Sequence, residues 1–167
     1  MSRLDLVVGR WGARFGGRLL PCAVGRGGIG VKRVEGDGIT PVGRHRIEAV
    51  LVRADRGRSR PAAGLPVGWI GLRDGWSDDP DDPDYNRKIR RPHRFRHEAL
   101  RRADPLYDRV AVLDWNRDPA MPGRGSAVFL HVWRAPRHPT AGCIAFRRRD
   151  LDWILRRWTE HSRVVVR

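Results

Sequence analysis

The stretch FLHVWRAPRHPTAGCIAF, Phe129 to Phe146, decides how this chain is read. Phe129-Leu130-His131-Val132-Trp133 is an apolar run around a single His, and Ile144-Ala145-Phe146 is a second apolar run. The Arg-, Pro- and Gly-bearing segment between them fits neither, so the pattern predicts strand, loop, strand. Side chains alternate between the faces of a strand, which puts His131 on the face opposite Leu130 and Val132. Thr140-Ala141-Gly142 makes a turn, and Cys143 opens the next element, twelve residues after His131. A thiol is a useful nucleophile only as thiolate, and a nearby imidazole can take its proton and later return it to a leaving group. Gly142 permits a tight turn and leaves room for a substrate carbonyl beside the Cys143 amide. Cys143 is therefore a candidate nucleophile, against the reading of a buried thiol ahead of a core strand, and His131 a candidate base, against that of a structural strand histidine.

Other residues near this pair admit two readings each. The Thr140 hydroxyl could orient the imidazole or bind the acyl group, and could equally close a local turn. His138 lies five residues before Cys143 in Arg137-His138-Pro139, a loop setting that suits a rival base or a substrate contact. Tyr85, Asn86 and Tyr107 could line a peptide groove, since Tyr offers apolar surface and a hydroxyl, or could be packing residues. Cys22, in the apolar run Leu19–Val24, reads as a small buried core residue rather than a partner for Cys143.

Working outward, short apolar runs at Leu4–Val8, Leu19–Val24, Ile47–Val52, Val110–Trp115, Ala127–Val132 and Val164–Val166 are separated by Gly, Pro, Asp and Asn. These predict strands joined by turns. Arg53–Gly64 and Asn116–Gly125 read as loops, and Asp78–Asp84, with two prolines, as a solvated loop. One helix is marked, with Asp150 as N-cap and Leu151, Ile154, Leu155 and Trp158 on one face. Arg156, Arg157 and Glu160 then face water, and a second short helix is expected over His97–Arg102. The expected fold is one domain over residues 1–167, mainly β with one or two peripheral helices.

Composition narrows the function. The chain has 167 residues, 40 % of them hydrophobic, with seven Trp, enough for a sizeable core. The formal net charge is +15, nearly all of it from Arg. That favours anionic partners through weak, non-specific polyanion binding, with nucleic acid or cell-wall polymer as candidates. Two cysteines do not make a disulfide framework. No Cys-x-x-Cys or His-Glu-x-x-His spacing occurs, Gly25–Gly30 lacks the Lys-Ser/Thr ending of a phosphate loop, and the acidic run lacks the Gly and Glu of a calcium loop. No metal or cofactor is expected. No stretch approaches a membrane span, and Met1–Arg10, with charges at Arg3, Asp5 and Arg10, does not read as a secretory leader.

The Thr-x-Gly-Cys element after an upstream His resembles the L,D-transpeptidase (YkuD-type) family, cysteine enzymes that remodel peptidoglycan. A second mark of that family, Thr-Pro-x-Gly-x-aromatic-x-Ile, is matched by Thr40-Pro41-Val42-Gly43-Arg44-His45-Arg46-Ile47, led in by Arg33-Val34-Glu35-Gly36-Asp37. His45 stands at the aromatic position and reads as packing. Gly75–Pro80, Tyr85-Asn86 and Asp104–Asp108 also look familiar, and the likeness runs from about Leu19 to Leu155.

The resemblance implies a β-sandwich-like catalytic domain of the compact, single-domain branch. It implies acyl transfer on peptidoglycan peptide stems through a thioester on Cys143, with His131 as base, Gly142 and Cys143 amides at the oxyanion, and water as acceptor giving a carboxypeptidase. It thereby favours the catalytic reading of both Cys143 and His131. It also implies periplasmic or cell-wall action; since Met1–Arg10 does not read as a leader, an upstream start, a removed leader, another export route or a different substrate stay open.

Three positions depart from the family pattern: Ala141 where His is common, Val132 where Gly is common, and Ala145 where Arg is common. Arg147 could replace the missing charge or be a solvated residue at a helix start. Two rivals remain. A sortase-like thiol enzyme usually places its His much further upstream, with an essential Arg beyond the Cys. A basic binding module would carry an inert thiol, and selective thiol alkylation would separate it from an enzyme.

Overall fold

The computed structural model describes residues 2–57 and 64–167. In chain order the first strands are β1 (Leu6–Gly9), β2 (Gly12–Phe15), β3 (Arg18–Leu20), β4 (Cys22–Ala23), β5 (Ile29–Gly30), β6 (Thr40–Pro41), β7 (Gly43–His45) and β8 (Ile47–Val52). A single 3-10 turn, Ala54–Arg56, follows. The rest are β9 (Val67–Trp69), β10 (Asp74–Ser77), β11 (Lys88–Arg90), β12 (His97–Ala99), β13 (Arg109–Leu113), β14 (Phe129–Val132), β15 (Ile144–Phe146), α1 (Arg148–Arg156) and β16 (Val164–Val166). Among the described residues the fold is mainly β with one α-helix. Of the loop expected over Arg53–Gly64, residues 58–63 lie outside the described residues.

Two sheets make the sandwich. One is ordered β3-β2-β1-β16-β7 and the other β4-β15-β14-β13-β8-β9. Alternation sorts the larger sheet's side chains. Val50, Val52, Ala111, Leu113, Leu130, Val132, Ile144 and Phe146 face the smaller sheet's Leu6, Val8, Ala13 and Phe15. Leu51, Val110, Val112 and Phe129 face the other way, into a second cluster with Ile70, Trp76, Leu100, Tyr107 and Cys143. The three-stranded sheet β11-β10-β12 contributes Trp76 to that second cluster. The middle strands β13, β14 and β15 are buried along their whole length, as near-continuous apolar runs require.

Helix α1 presents Leu151, Ile154, Leu155 and, just beyond it, Trp158 to the main core, while Arg156, Arg157 and Glu160 are exposed. Its start differs from the sequence expectation. Arg147 occupies the cap without a side-chain bond, and Asp150 sits in the first turn. The reason is ionic: Arg148 Nη1 lies 3.0 Å from Asp108, and buried Arg109 lies 3.3 Å from Asp152, which ties the helix N-terminal half to β13.

The helix expected over His97–Arg102 is instead strand β12. Glu98 pairs with Trp76 on the edge of β10, and Arg96 is held on Asp78 at 3.2 Å, which aligns the segment with that edge. Ladder bonds to β10 outweigh the modest helix propensity of His-Glu-Ala-Leu. The Leu19–Val24 run splits at Pro21 into β3 and β4, which belong to different sheets. The acidic loop is less solvated than expected: Asp82 is buried, accepting bonds from the Ser77 hydroxyl at 2.5 Å and sharing a 2.6 Å contact with His93.

Candidate active site

Strands β14 and β15 are parallel, with Leu130 opposite Ile144 and His131 opposite Ala145. Parallel neighbours need a crossover, and here residues 133–143 supply it. That return places Cys143, one residue before β15, level with Phe129. His131 lies two residues further along the adjacent strand, on the same face. Diagonal neighbours of this kind are about 8 Å apart at the backbone, close enough for an imidazole and a thiol to converge on one reacting atom.

Both side chains are buried, His131 at 5 % exposure and Cys143 at 9 %. The Cys143 thiol donates to the Ala127 carbonyl at 3.0 Å and accepts from the Phe129 amide at 3.4 Å. Burial pushes it up to about 12; the Phe129 amide and the Lys32 charge pull the other way, and Glu98 adds to the rise. His131 Nδ1 lies 2.8 Å from the Val132 carbonyl. A carbonyl only accepts, so Nδ1 carries the proton and Nε2 is left with its lone pair. Burial lowers this imidazole to about 4 against the support of that bond. At rest the two groups are a neutral thiol and a neutral imidazole, and the ring of Tyr107 packs edge-on against the imidazole at 5.5 Å.

The turn that delivers Cys143 is fixed from two sides. Thr140 Oγ1 donates to the Cys143 carbonyl at 2.6 Å and accepts the Gly142 amide at 3.1 Å. Of the two readings for Thr140, the turn bond is the one made in this conformation. From the other side, Thr40 donates to the Gly142 carbonyl at 2.9 Å and accepts the Gly25 amide at 2.8 Å. Gly142 has φ +141°, and a Cβ there would stand 2.9 Å from the Ile39 carbonyl oxygen. Only glycine fits that approach.

Cys143 borders two cavities. One, of about 500 Å³, is lined by Arg26, Arg102, Arg134, His131 and His138, with Tyr107 and Ala141. The other, of about 160 Å³, is lined by Lys32, Glu35, Asp78, Glu98 and Ser126, again with Tyr107 and Ala141. The structure thus gathers Cys143, His131, Gly142, Thr140, His138 and Tyr107 at one place.

Three expected substrate contacts are elsewhere. Asn86 is buried, and its amide is spent on the Trp76 indole, the Trp115 and Asn116 carbonyls and the Ala127 amide. Tyr85 is buried, its phenol donating to Glu35 at 2.6 Å and accepting the Gly125 amide at 3.1 Å. Both hold the wall behind the site rather than facing a groove. Arg147 is exposed at the α1 cap and lines neither cavity. His45 is buried against Trp115, as its packing role requires. Cys22 is buried, its thiol pushed up by burial to about 11, and both cysteines are free.

Several site residues escaped the sequence reading. Lys32 is buried and paired with Asp37 at 2.6 Å. Burial opposes ionisation of that carboxyl, but the Lys32 bond and the amides of Ile39, Arg33 and Val34 bring it down to about 2. One of only two Lys amid so many Arg, it carried a signal in its residue type. Arg26 and Arg102 come from distant segments, and Glu98 lies in the segment expected to be helical. Among the described residues no group of three His, Cys, Asp or Glu is placed to hold a metal ion.

The sandwich, with the crossover that returns Cys143 beside His131, defines a β-rich domain that pairs a thiol and an imidazole at the edge of a cavity. The L,D-transpeptidase catalytic domain (YkuD) family model matches residues 8–166, and the chain belongs to that family. No curated protein and no solved structure matches it. L,D-transpeptidase-type function on peptidoglycan is thereby shown in general terms, with cell-wall or periplasmic action suggested by the family. No helix among the described residues is long and apolar enough to cross a membrane.

Proposed function

We propose that this domain performs cysteine-dependent acyl transfer on peptidoglycan peptide stems, with Cys143 as nucleophile and His131 as general base. The observation that carries this is the placement of the two side chains on one face of adjacent parallel strands, bordering one cavity, with the imidazole Nε2 unbonded to the carbonyl that fixes its tautomer.

The chemistry follows from the resting protonation. A thiol held near 12 is not a standing thiolate. Its proton leaves as sulfur attacks, passing to the His131 Nε2 position. The attacked carbonyl is the amide at the L-centre of the diamino-acid residue in a tetrapeptide stem. The Gly142 amide is already bonded within the turn, which leaves the Cys143 amide as the backbone donor for the developing oxyanion, with the Lys32 ammonium adding positive potential behind it. The imidazolium then protonates the departing D-alanine amine, leaving a thioester. An amine captures it to give a cross-link, and water captures it to give trimming.

The larger cavity suits the donor, since the terminal D-alanine carboxylate would face Arg26, Arg102 and Arg134. His138, exposed on the same wall, serves as a substrate contact. A separate exposed groove lined by Arg10, Trp11, Arg26, Arg137 and Arg167 supports weak, non-specific binding of anionic polymer.

Incubation with purified tetrapeptide muropeptides followed by mass spectrometry tests the reading. Loss of D-alanine with a transient mass increment on Cys143 supports it. Unchanged muropeptides with wild-type protein, or turnover that survives Cys143→Ala, overturns it.

A further inference from the structure

The two cavities that meet at Cys143 carry opposite charge. Three arginines line the larger one, while Glu35, Asp78 and Glu98 line the smaller one around Lys32. The charges in the smaller cavity are not equally committed. Lys32 is paired with Asp37 at 2.6 Å. Asp78 is bound by Arg96 at 3.2 Å, and Glu35 accepts the Tyr85 phenol at 2.6 Å. Glu98 has only the Tyr107 hydroxyl, at 2.9 Å, and among the described residues no cation lies within ion-pair distance of it. A carboxylate set into a protein wall without a cation is unfavourable unless something there uses it. A second feature points to a missing occupant. Ser126 lines the same cavity at 7 % exposure, and its hydroxyl, though beside the Tyr85 phenol, makes no hydrogen bond of proper geometry.

We propose that the acidic cavity seats the acceptor amine, that Glu98 takes the proton from its ammonium group, and that Tyr107 positions Glu98 for that transfer. The inference rests on the acyl-transfer reading above and extends it to the second half of the reaction. The cavity, at about 160 Å³, admits the end of an alkylammonium side chain and not a second peptide. A free ammonium is attracted by the carboxylates there, whereas a carboxylate-bearing terminus is directed to the arginine side.

The protons balance as follows. The ammonium gives one proton to the Glu98 carboxylate and becomes a neutral amine. Its nitrogen attacks the thioester carbonyl, forming the N–C bond. The remaining excess proton on nitrogen passes to His131 and from there to Cys143 sulfur as the C–S bond breaks. The products are the amide, the free thiol and a protonated Glu98, which returns its proton to solvent.

The electrostatics suit a base working near neutrality. Burial raises the Glu98 carboxyl to about 7, with the charges of Asp78 and Glu35 adding to the rise and the Tyr107 bond and Arg102 opposing it. Lys32 lines the same cavity, and Cys143, facing Glu98 across it, is neutral at that pH.

The test starts from the thioester formed with a tetrapeptide stem, chased with the ε-amine of Nα-acetyl-lysine amide. Amide product and hydrolysed stem are counted in the same sample by mass spectrometry. Glu98→Gln, which keeps an acceptor for Tyr107, should lower the aminolysis-to-hydrolysis ratio at least tenfold. Tyr107→Phe should lower it less and move the acid limb of aminolysis to higher pH, because the bond that lowers the Glu98 pKa is gone. A ratio within twofold of wild type in Glu98→Gln overturns the proposal, as does a folded Glu98→Gln protein that cannot be acylated. If Glu98→Gln does not fold, an unmoved acid limb in Tyr107→Phe overturns it. Failure of wild type to form any thioester is read separately, and it removes the acyl-transfer reading together with this extension.

Discussion

The Thr40 hydroxyl donates a 2.9 Å hydrogen bond to the Gly142 carbonyl across 102 residues of sequence. The two sequence marks of the family are thus two halves of one device. Thr40-Pro41 forms β6, paired with β5 outside the two sandwich sheets, and the Thr40 hydroxyl fixes the turn that presents Cys143. Thr40→Val keeps the shape and removes the hydroxyl. It leaves the Gly142 carbonyl and the Gly25 amide without their buried partner, at about 1–3 kcal/mol for each group. The variant should unfold at lower denaturant and acylate more slowly than wild type. Unchanged stability and acylation would mean that the turn stands without Thr40.

The Gly142 position gives a sharper steric test. An added methyl would meet the Ile39 carbonyl oxygen at 2.9 Å on a backbone at φ +141°. Gly142→Ala should therefore displace the Cys143 turn and lower activity by at least tenfold. Cys22→Ala, a small change in a packed core, should keep full activity. A Gly142→Ala protein as active as wild type would show that the turn tolerates the shift.

The strand setting of His131 and the turn before Cys143 were legible in the sequence for a physical reason: strand alternation and a Gly before the Cys are local. Thr40 to Gly142 was not, because no local pattern encodes a contact at that range. His97–Arg102 misled because its residues suit a helix in isolation, while the edge of β10 that recruits Glu98 is built from Gly75 and Trp76, far from it in sequence. The start of α1 moved for a similar reason, since Asp108, outside the helix, holds Arg148. Tyr85 and Asn86 looked like groove residues by type, yet their partners, Glu35 and the Trp115–Asn116 backbone, could only be known from the fold.

Thiol reactivity should contrast with catalytic reactivity. A buried Cys143 held near 12 gives almost no thiolate at pH 7.5, by about four orders of magnitude. Iodoacetamide should label it slowly, so slow alkylation does not distinguish an inert thiol from a catalytic one. A carbapenem that brings an acyl group into reach should add to Cys143 much faster, read as an intact-mass increment. Rapid alkylation with no carbapenem adduct would contradict the acyl-transfer assignment.

Acid stability should carry opposing contributions from His131 and Glu98. His131 falls from 6.5 to about 4 on folding, so its contribution is complete above pH 6.5 and is lost as pH falls toward 4. Glu98 rises from 4.5 to about 7, so its contribution is complete below pH 4.5 and is lost as pH rises through 7. Between pH 4.5 and 6.5 the two slopes oppose each other, each on the order of 2 kcal/mol or less, and less for partly exposed Glu98. Glu98→Gln removes one side. Its melting temperature should fall more steeply than that of wild type from pH 7 to 5. Parallel profiles would show that Glu98 is ionised normally in the folded protein.

The two candidate bases differ in how they are held. His131 is buried on β14, its tautomer set by the Val132 carbonyl at 2.8 Å and its ring packed on Tyr107 at 5.5 Å. His138 is exposed in the crossover, next to Arg137 at φ +58°. General base catalysis needs a fixed lone pair within reach of the proton it removes, and removing such a base typically slows the step by about 10²–10⁴-fold. His131→Ala should lower the single-turnover acylation rate by that order. Its neutral form persists down to about pH 4, so wild-type acylation should show no acid limb near 6.5. His138→Ala should leave the limiting rate within a few fold and raise the apparent KM, as loss of a contact on the cavity wall does. Stopped-flow mixing of each variant with a stem peptide over pH 4–8 separates the two. If His138→Ala abolishes acylation while His131→Ala does not, the loop histidine is the base and the strand histidine serves the core.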